Sequence, residues 1–336
     1  MQLVSVNDLK PGMVLGKTIL GNQGQILLRQ GVLLTEGYID YLKKYPFVAV
    51  YISTGRDVVV EDVVSDETRL QAIQKTRDVL LQVKRGADLE IEKLNEILVA
   101  VIDELLLQDD IMINLVDIRS FSEELFSHSV NVAIIGVIIG IEYGCSINKL
   151  KTLAQAALLH DIGYLLSSDS QTIAHVTLGT DLLLKTGINQ SVLELVSQHH
   201  ERWDGNGYPN RLKRHQINEL ARIIQVANIF DRLSANNRYP MEEVIEYLMA
   251  KSGQEFEPHS VRNFINCVSL YPVGTVVELN TGESGVVIKS NRGFPTRPVV
   301  RIEENMYGHV VEEGYTVDLV EKTTYFVKRR LNNTPI

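Results

Sequence analysis

The sequence predicts a mainly α-helical protein, in which an all-helical bundle is flanked by a small N-terminal α/β or β unit and a small C-terminal β-rich unit. Apolar residues recur at helical spacing between about residues 61 and 268. After residue 270 they alternate with polar ones and are interrupted by Gly, Asn and Pro, which is typical of strands and turns. A chain of 336 residues is also too long for one ordinary core, so we expect two or three domains.

Residues 1–60 predict a small domain of regulatory type. The segments MVLGKTIL, QGQILLRQGVLL and VAVYIS read as strands, and TEGYIDYLKKY reads as a short helix. Residues 61–118 are acidic and carry leucine and isoleucine at helical spacing, as in IEKLNEILVAVIDELLL. This pattern predicts a helical connector that pairs with itself or with a second copy of the chain, so a homodimer through residues 61–118 is one expectation.

The apolar pattern of residues 119–268 predicts helices throughout, with breaks at glycines and at the segment GNGYP. Their most apolar stretch, VAIIGVIIGI at residues 132–141, is far shorter than the roughly 20 residues that a membrane span needs. We therefore predict a buried core helix and no membrane span. Residues 269–336 contain YPVGTVVEL, SGVVIKS, RPVVRIE and YTVDLVE, which predict a β-rich unit to which the sequence assigns no role.

Composition limits the classes of partner and the compartment. The net charge of −9 argues against a DNA-binding protein, which needs a basic face to neutralise phosphates. The two cysteines, Cys145 and Cys267, lie far apart and outside any paired motif, as expected in a reducing cytosol. The N-terminus has no basic start followed by an apolar block, so it does not read as a signal peptide. These features predict a cytoplasmic protein.

Histidines are concentrated in the helical region. Five of the eight lie between residues 128 and 200, and several have acidic neighbours. Glu124 and His128 are four residues apart, so they lie on one helix face, although such a pair is also an ordinary helical contact. His160 and Asp161 follow the apolar helix TLAQAALL. A buried carboxylate there costs several kcal/mol unless it is paired or coordinated.

The other three histidines between residues 128 and 200 are further candidate metal ligands. His175 begins another apolar helix, and His199 and His200 follow the helix SVLELVSQ. Adjacent helical side chains point about 100° apart, so this pair can serve two ions, or one ion and a substrate phosphate. A site rich in imidazole and carboxylate suits a hydrolase in which two metal ions act on a phosphodiester. Its donors suit iron or manganese, with nickel or zinc as alternatives.

The segments FSHSVNVA, ALLHDIG, AHVTLG, HHERWDGNGYP, LARIIQVANIFDRLS and GQEFEPHSVRNF resemble the HD-GYP family of metal-dependent phosphohydrolases. The resemblance covers residues 119–268. It implies an all-α HD domain with two or three iron- or manganese-class ions, which hydrolyses cyclic di-GMP to pGpG and often on to GMP. It also implies signalling partners of the diguanylate cyclase type at the GYP surface.

Carried over residue by residue, the resemblance assigns specific roles. His160 and Asp161 are the catalytic pair, and Asp161 bridges two ions. The implied metal ligands are Glu124, His128, His160, Asp161, His175, His199, His200 and, at the position of a family carboxylate, Asn228. The implied substrate-binding residues are Arg202, Gly207, Tyr208, Pro209 and Arg238. Tyr208 contacts a guanine or shapes the pocket rim, although glycine and proline around an aromatic residue also suffice for a plain turn.

Several positions depart from the family pattern. Asn228 stands in VANIFDRL where the family has an Asp ligand, and Asp231 follows three residues later. An amide oxygen carries no charge, so we expect one ion to be held more weakly. Tyr164 stands where the family has a phosphate-binding Lys, and only ten residues separate it from the next histidine. The segment SANNRYP displaces Arg238 and thins the phosphate contacts, and Asn131 replaces a frequent Arg.

Three hypotheses follow. The favoured one is a cyclic di-GMP phosphodiesterase with a modified metal site, slow turnover and a need for added Mn²⁺ or Fe²⁺. The alternative is a degenerate module that binds metal, nucleotide or partner proteins without cleavage. A third is an HD hydrolase that acts on another phosphorylated nucleotide.

Overall fold

The computed structural model describes residues 1–21, 25–44, 49–54, 63–108, 111–114, 125–166, 173–235 and 239–331. Within these ranges helices predominate, and small sheets lie toward the two ends of the chain. The predicted fold class, a helical bundle between a small N-terminal unit and a β-rich C-terminal unit, is confirmed.

The N-terminal unit combines short strands with one helix. Its strands are β1 (Gln2–Ser5), β2 (Val14–Leu15), β3 (Ile19–Leu20), β4 (Ile26–Leu28) and β5 (Ala49–Ser53). Strand β5 pairs antiparallel with both β1 and β2, while β3 pairs with β4. Helix α1 (Glu36–Lys43) begins after Thr35, whose hydroxyl accepts a hydrogen bond from the N–H of Tyr38 at 3.3 Å.

Two helices follow in the segment predicted as a connector. Helices α2 (Asp66–Lys84) and α3 (Ile91–Leu106) pack against each other and also against the bundle. The buried residues of α3 recur at steps of three and four, as an amphipathic helix requires. They are Leu94, Ile97, Leu98, Val101, Ile102 and Leu105. This apolar face belongs to the main core of the same chain.

The described α-helices from residue 125 onward form the bundle. They are α4 (Leu125–Glu142), α5 (Ile147–Leu159), α6 (Ala174–Leu184), α7 (Gln190–Gln198), α8 (Glu219–Ser234), α9 (Met241–Ala250) and α10 (Pro258–Cys267). Helix α4 lies at the centre and packs against α5, α8, α10 and α2. At Gly140 of α4, an added Cβ would lie 2.8 Å from methyl groups of Leu150 and Leu153, so glycine allows α5 to approach closely.

Among the described helices, α4 is the one that is long and apolar enough to cross a membrane. In the protein, however, 78% of its apolar 18-residue window is buried against other elements. Such burial is the environment of a core helix. The predicted core helix is therefore confirmed, and it extends beyond residues 132–141 in both directions.

The described strands after α3 are β6 (Ile113–Asn114), β7 (Val268–Ser269), β8 (Val276–Leu279), β9 (Ser284–Lys289), β10 (Val299–Glu304), β11 (Val310–Asp318) and β12 (Val327–Arg330). The C-terminal unit is a five-stranded antiparallel sheet in the order β11–β10–β9–β8–β12. Val277, Val287, Val300 and Ile302 are buried in its core. The β-rich character predicted after residue 270 is confirmed.

The two sheet-containing units contact each other, although the whole bundle lies between them in sequence. The N–H of Leu3 donates to the carbonyl of Gly274 at 3.0 Å, and the Tyr51 hydroxyl donates to the carbonyl of Val273 at 3.3 Å. The side chains of Tyr51 and Val286 are buried together at this contact. A parallel pairing of β6 with β7 also ties the chain after α3 to the end of α10.

Candidate metal centre

The helix ends of the bundle bring the predicted histidines and Asp161 together. The residues concerned are His128 on α4, His160 and Asp161 directly after α5, His175 in the first turn of α6, and His199 and His200 directly after α7. All are buried except His200, which is partly buried. The sequence separates the first and last of them by 72 positions, so only the fold makes them neighbours.

Asp161 is the centre of the cluster because its two oxygens face different histidines. Its Oδ2 lies 3.6 Å from Nε2 of His128 and 3.3 Å from Nε2 of His160. Its Oδ1 lies 3.4 Å from Nε2 of His175 and 3.5 Å from Nε2 of His199. The carboxylate thus stands between two groups of imidazoles, as a bridging ligand would.

Two sets of potential metal ligands result, and both include Asp161. One set is Asp161, His175, His199 and His200, and the other is His128, His160 and Asp161. Within each set the ligand atoms all lie within 4.8 Å of one another. Imidazole nitrogen and carboxylate oxygen are donors suited to first-row transition metals.

Hydrogen bonds to backbone carbonyls hold two of the imidazoles so that Nε2 faces the cluster. Nδ1 of His160 lies 2.7 Å from the carbonyl of Ala157, and Nδ1 of His199 lies 2.6 Å from the carbonyl of Val196. These carbonyls are at helix ends, where the helix supplies no partner for them. An Nδ1–H that donates to a carbonyl leaves the Nε2 lone pair available for a metal.

The cluster contains buried polar atoms whose partners the protein does not supply. Nε2 of His128, Nε2 of His160, Nε2 of His200 and Oδ1 of Asp161 have no hydrogen-bond partner. Leaving such atoms unpaired is costly, because each has lost its hydration on burial. All four face the potential ligand sets, so the residues present fit divalent ions.

Protonation states in the cluster also suit metal binding, which requires neutral imidazoles and an ionised carboxylate. Burial lowers the pKa of His160, His199 and His200, because the charged imidazolium is poorly solvated there. Burial by itself would raise the pKa of Asp161. Interactions with His160 and His199 and the charge of Arg232 outweigh it and hold that pKa well below its usual range.

The segment HHERWDGNGYP forms a loop against the cluster. Glu201 is buried in it, and its two oxygens accept hydrogen bonds from the N–H groups of Asn210 at 2.6 Å and Leu212 at 2.8 Å. The Tyr208 ring stacks on the His200 imidazole, with centroids 4.6 Å apart. The internal carboxylate therefore holds the loop in a conformation that places an aromatic ring beside a potential metal ligand.

Comparison with known proteins agrees with this geometry. Residues 125–233 match the HD domain family. Residues 276–336 match a second family, described as a KOW domain associated with HD domain. The second match covers the C-terminal sheet, to which the sequence alone assigned no role.

Similar proteins include three curated phosphodiesterases. Cyclic di-GMP phosphodiesterase PA4108 of Pseudomonas aeruginosa is 28% identical over 227 residues, which are 62% of this chain and 55% of that protein. The 3'3'-cGAMP-specific phosphodiesterase 2 of Vibrio cholerae is 33% identical over 164 residues, which are 43% of this chain and 31% of that protein. Cyclic di-GMP phosphodiesterase PdeB of Borreliella burgdorferi is 26% identical over 231 residues, which are 62% of this chain and 60% of that protein.

Together these matches support assignment of residues 125–233 to the HD-GYP family. The fold of this chain also resembles that of a solved structure, Bd1817, an HDG"Y"P protein from Bdellovibrio bacteriovorus. That likeness has a TM-score of 0.51 at 17% identity, and it covers 78% of this chain and 97% of the other. The chain spans less than two thirds of the length of each of the three curated relatives.

On α8, Asn228 stands at a position where the resemblance to the HD-GYP family implies a carboxylate. Its Oδ1 accepts a hydrogen bond from Nε of Arg232 at 2.8 Å, and its Nδ2 has no partner. Nη2 of Arg232 donates to Oδ2 of Asp161 at 2.5 Å. The guanidinium therefore bridges the central carboxylate and the amide that stands in place of a carboxylate. It stays partly accessible, since 42% of the Arg232 side chain is exposed.

The sequence interpretation did not include Arg232, although a signal for it was present. Residues four apart on a helix lie on the same face, so Arg232 and Asn228 are neighbours on α8. On that face the carboxylate expected at position 228 is missing, and the positively charged guanidinium of Arg232 is present. The alternative carboxylate, Asp231, does not take the place of Asn228. Its Oδ2 instead lies 2.6 Å from Nδ1 of His128, on the side of the ring away from Asp161.

The segment after Asp161 approaches α6 very closely. An added Cβ at Gly163 would lie 1.9 Å from the carbonyl oxygen of His175, so only glycine fits there. The next residue, Tyr164, stacks on the His175 ring with centroids 4.1 Å apart. The tyrosine that replaces the family lysine thus packs on a potential metal ligand.

The predicted substrate-binding residues lie in different surroundings. The Arg202 guanidinium is paired with Asp204 at 2.8 Å and lies 3.5 Å from Glu255, within and beside the loop. Gly207 lies so close to the backbone of Glu201 and Arg202 that a Cβ would collide with it, and Pro209 follows a cis peptide bond. Glu124 and Arg238 lie outside the described residues. A substrate-binding role stays a prediction for all five residues, which are Arg202, Gly207, Tyr208, Pro209 and Arg238.

Proposed function

We propose that this chain is a metal-dependent phosphodiesterase that hydrolyses cyclic di-GMP to pGpG and on to GMP. One observation carries the proposal. Two sets of buried ligand atoms share Asp161, and four of those atoms have no hydrogen-bond partner within the protein. Two of the curated relatives are named for cyclic di-GMP and a third for 3'3'-cGAMP, so a cyclic dinucleotide is the substrate class that the comparisons favour.

We further propose that two divalent ions, iron or manganese, bind at the two sets. One would be held by Asp161, His175, His199 and His200, and the other by His128 and His160 with the second oxygen of Asp161. Divalent ions there supply Lewis acidity to a phosphodiester and to the attacking water. A third ion would need Glu124, which the sequence places four residues before His128.

The protein's own side chains supply recognition. Tyr208 and Tyr164 each stack on a histidine of the cluster, and both are partly exposed beside it. Aromatic faces at a nucleotide site bind purine bases by stacking. Burial raises the pKa of Tyr208 to about 12, so its phenol stays a neutral hydrogen-bond donor. Arg232 carries a planar guanidinium, which suits a phosphate oxygen in place of the absent lysine.

A second candidate function is supported by the same Arg232. While its guanidinium holds Oδ2 of Asp161 and Oδ1 of Asn228, it competes with an ion for both oxygens. If it stays there when nucleotide binds, the domain is a receptor that binds cyclic dinucleotide without cleavage. If it moves to the substrate phosphate, the domain is an enzyme.

The two candidates are separated by one set of assays. Purified full-length protein is stripped with chelator and reconstituted with Mn²⁺, or with Fe²⁺ under anaerobic conditions. Cyclic di-GMP and 3'3'-cGAMP are then incubated with stoichiometric protein, and products are separated by chromatography. Calorimetry on the same samples measures binding. Asp161→Asn removes the shared carboxylate charge, and Asp181→Asn on the exposed surface of α6 is the matched control.

The proposed phosphodiesterase yields pGpG slowly, only after metal is added. That activity is lost in Asp161→Asn and unchanged in Asp181→Asn. Binding without product supports the receptor instead. A protein that neither binds nor cleaves either nucleotide contradicts both candidates, and fast turnover in metal-depleted protein contradicts the metal requirement.

Partners and location remain proposals as well. A homodimer through residues 61–118 would have to use the outer sides of α2 and α3, because their apolar faces are already buried in the chain's own core. Leu106 and Leu107 at the end of α3 are exposed and could contribute. A signalling partner of the diguanylate cyclase type would meet the loop around Tyr208. Two free cysteines, Cys145 and Cys267, accord with a cytoplasmic location.

A further inference from the structure

A chain of buried polar side chains runs from α2 into the metal centre. Nη1 of Arg69 on α2 donates to Oδ1 of Asn131 on α4 at 3.1 Å. Nδ2 of Asn131 donates to Oδ1 of Asp231 on α8 at 2.9 Å. Oδ2 of Asp231 lies 2.6 Å from Nδ1 of His128, whose Nε2 faces Asp161. Three helices are thereby joined behind one potential metal ligand.

Burial gives these contacts their strength. Arg69 is 4% exposed, Asn131 2% and Asp231 5%. A guanidinium buried to this degree requires a compensating charge or hydrogen bonds, because its desolvation is expensive. Asn131 passes a hydrogen bond from the cation to the carboxylate of Asp231, and charge-assisted hydrogen bonds are stronger than neutral ones. Breaking any link removes a hydrogen bond from a buried polar group.

The order of the contacts determines what the chain does to His128. An Nδ1–H that donates to Asp231 fixes the imidazole in the tautomer whose Nε2 lone pair is free for a metal. Asp231 is itself fixed through its other oxygen by Asn131. Asn131 in turn accepts from Arg69, which orients its amide so that Nδ2 points at Asp231.

Arg69 lies outside residues 125–233, the part of the chain that matches the HD domain. Helix α2 packs against α4 and against the 3-10 helix Ile162–Leu165, which directly follows Asp161. The helix that links the N-terminal unit to the bundle therefore contacts both the support of His128 and the segment after the shared carboxylate.

We propose that Arg69 is a positioning residue for the metal ligand His128, acting through Asn131 and Asp231. The metal centre thus extends beyond the HD domain into α2. A displacement of α2 relative to α4 would break the Arg69–Asn131 contact and loosen His128, so α2 is the element through which the N-terminal unit can change metal affinity. This inference requires a metal at His128 and does not depend on which nucleotide the site accepts.

The experiment measures Mn²⁺ affinity of chelator-treated full-length protein by calorimetry, without nucleotide. Arg69→Met removes the charge and the donors at similar volume. Asn131→Ala breaks the same chain at its next link, and the double variant completes the cycle. Arg77→Met, two turns further along α2 and with no buried ion pair among the described contacts, is the matched control. Circular dichroism and urea unfolding of the metal-free proteins report on folding.

Loss of an outer partner of a metal ligand typically costs about 10–100-fold in metal affinity, and we expect about tenfold for Arg69→Met because it acts through two residues. Asn131→Ala should cost about the same. The double variant should be no weaker than either single variant, because all three break one chain. Arg69→Lys, which keeps a buried cation and donors, should recover most of the affinity. Arg77→Met should bind Mn²⁺ as the parent protein does.

Unchanged Mn²⁺ affinity in Arg69→Met would overturn the proposal, and so would losses that multiply in the double variant. A purely structural role would lower the stability of the metal-free protein and leave the affinity of its folded fraction unchanged. If Arg69→Met does not fold, Asn131→Ala decides, because it breaks the same chain with a smaller change. Absence of phosphodiesterase activity would not affect any of these outcomes.

Discussion

Nη2 of Arg232 lies 2.5 Å from Oδ2 of Asp161, so a guanidinium contacts the carboxylate that both potential metal sites share. The contact is confined to one of the two oxygens. Oδ1, which faces His175 and His199, has no hydrogen-bond partner. The two sites are therefore unequal. An ion at Oδ1 would have three imidazoles and an unobstructed oxygen available to it, whereas an ion at Oδ2 would compete with a guanidinium.

This inequality predicts the effect of two changes on α8. Arg232→Ala removes the competing cation, and Asn228→Asp adds an anionic ligand on the same helix face. We expect the double variant to bind the second Mn²⁺ at least about tenfold more tightly, which is about 1.4 kcal/mol. Elemental analysis after dialysis against limiting Mn²⁺ should show a larger number of ions per chain.

Arg262→Ala, on the exposed side of α10, controls for the removal of an arginine and should leave the metal content unchanged. If the double variant binds no more metal than the parent protein, the contact between Arg232 and Asp161 does not limit binding of the second ion. In that case the role of Arg232 is confined to the substrate phosphate.

The sequence allowed the fold class to be predicted, and also most of the residues that the fold brings together around Asp161, because local signals carry both. Runs of apolar residues at helical spacing predict helices, and HD and HH pairs directly after such runs predict ligands at helix ends. The environment of Asn228 could not be predicted in the same way. Whether an arginine one turn away reaches Asp161 depends on the packing of α8 against the end of α5, which is a tertiary contact.

The burial of Arg69 on α2 also could not be predicted from the sequence. A lone arginine in an acidic helical segment is typically solvated, and nothing in its neighbours marks it as buried. Its position follows from the packing of α2 on α4, which brings residues 62 positions apart into contact. The interpretation of residues 61–118 as a connector therefore did not include the buried contact between α2 and α4.

The close approach of Gly163 to the backbone of His175 should exclude any side chain at position 163. In Gly163→Ala the new methyl group would meet the carbonyl oxygen of His175 at 1.9 Å, so α6 must move away from the segment after Asp161. Such overpacking costs about 1–3 kcal/mol. We expect a lower midpoint in urea unfolding and weaker Mn²⁺ binding by the site that includes His175. Gly37→Ala in α1, where the nearest atom lies 3.9 Å away, should show neither effect.

Glu201 should stabilise the loop that carries Tyr208. Both of its oxygens accept backbone hydrogen bonds in a buried setting, from Asn210 and Leu212. Glu201→Gln replaces one acceptor by a donor that faces an N–H group, which should cost about 1–3 kcal/mol of unfolding free energy. Urea unfolding followed by the single tryptophan of the chain, Trp203 in this loop, measures the loss. Glu246→Gln on the exposed side of α9 is the control, and an equal loss there would contradict the role of Glu201.

The carboxylate of Glu104 should make the contact between α2 and α3 sensitive to pH. Its Oε1 accepts from the hydroxyls of Ser65 at 2.9 Å and Thr68 at 2.5 Å, and its Oε2 accepts from the N–H of Ser65 at 2.8 Å. Partial burial would raise the pKa of Glu104, but these hydrogen bonds and the charge of Arg69 outweigh it and lower that pKa. The ionised carboxylate therefore ties α3 to the beginning of α2.

Because the pKa of Glu104 is lower in the folded protein than in the unfolded chain, its stabilisation is complete above the unfolded value of about 4.3 and is lost as the pH falls through the folded value. Glu104→Gln should therefore lower the unfolding free energy by about 1 kcal/mol near neutral pH. Below about pH 4 the difference from the parent protein should shrink. Urea unfolding of metal-free protein from pH 7 to pH 3.5 measures it, with the exposed Glu92→Gln on the same helix as control. A difference that stays constant with pH would show that the charge of Glu104 does not contribute to the contact.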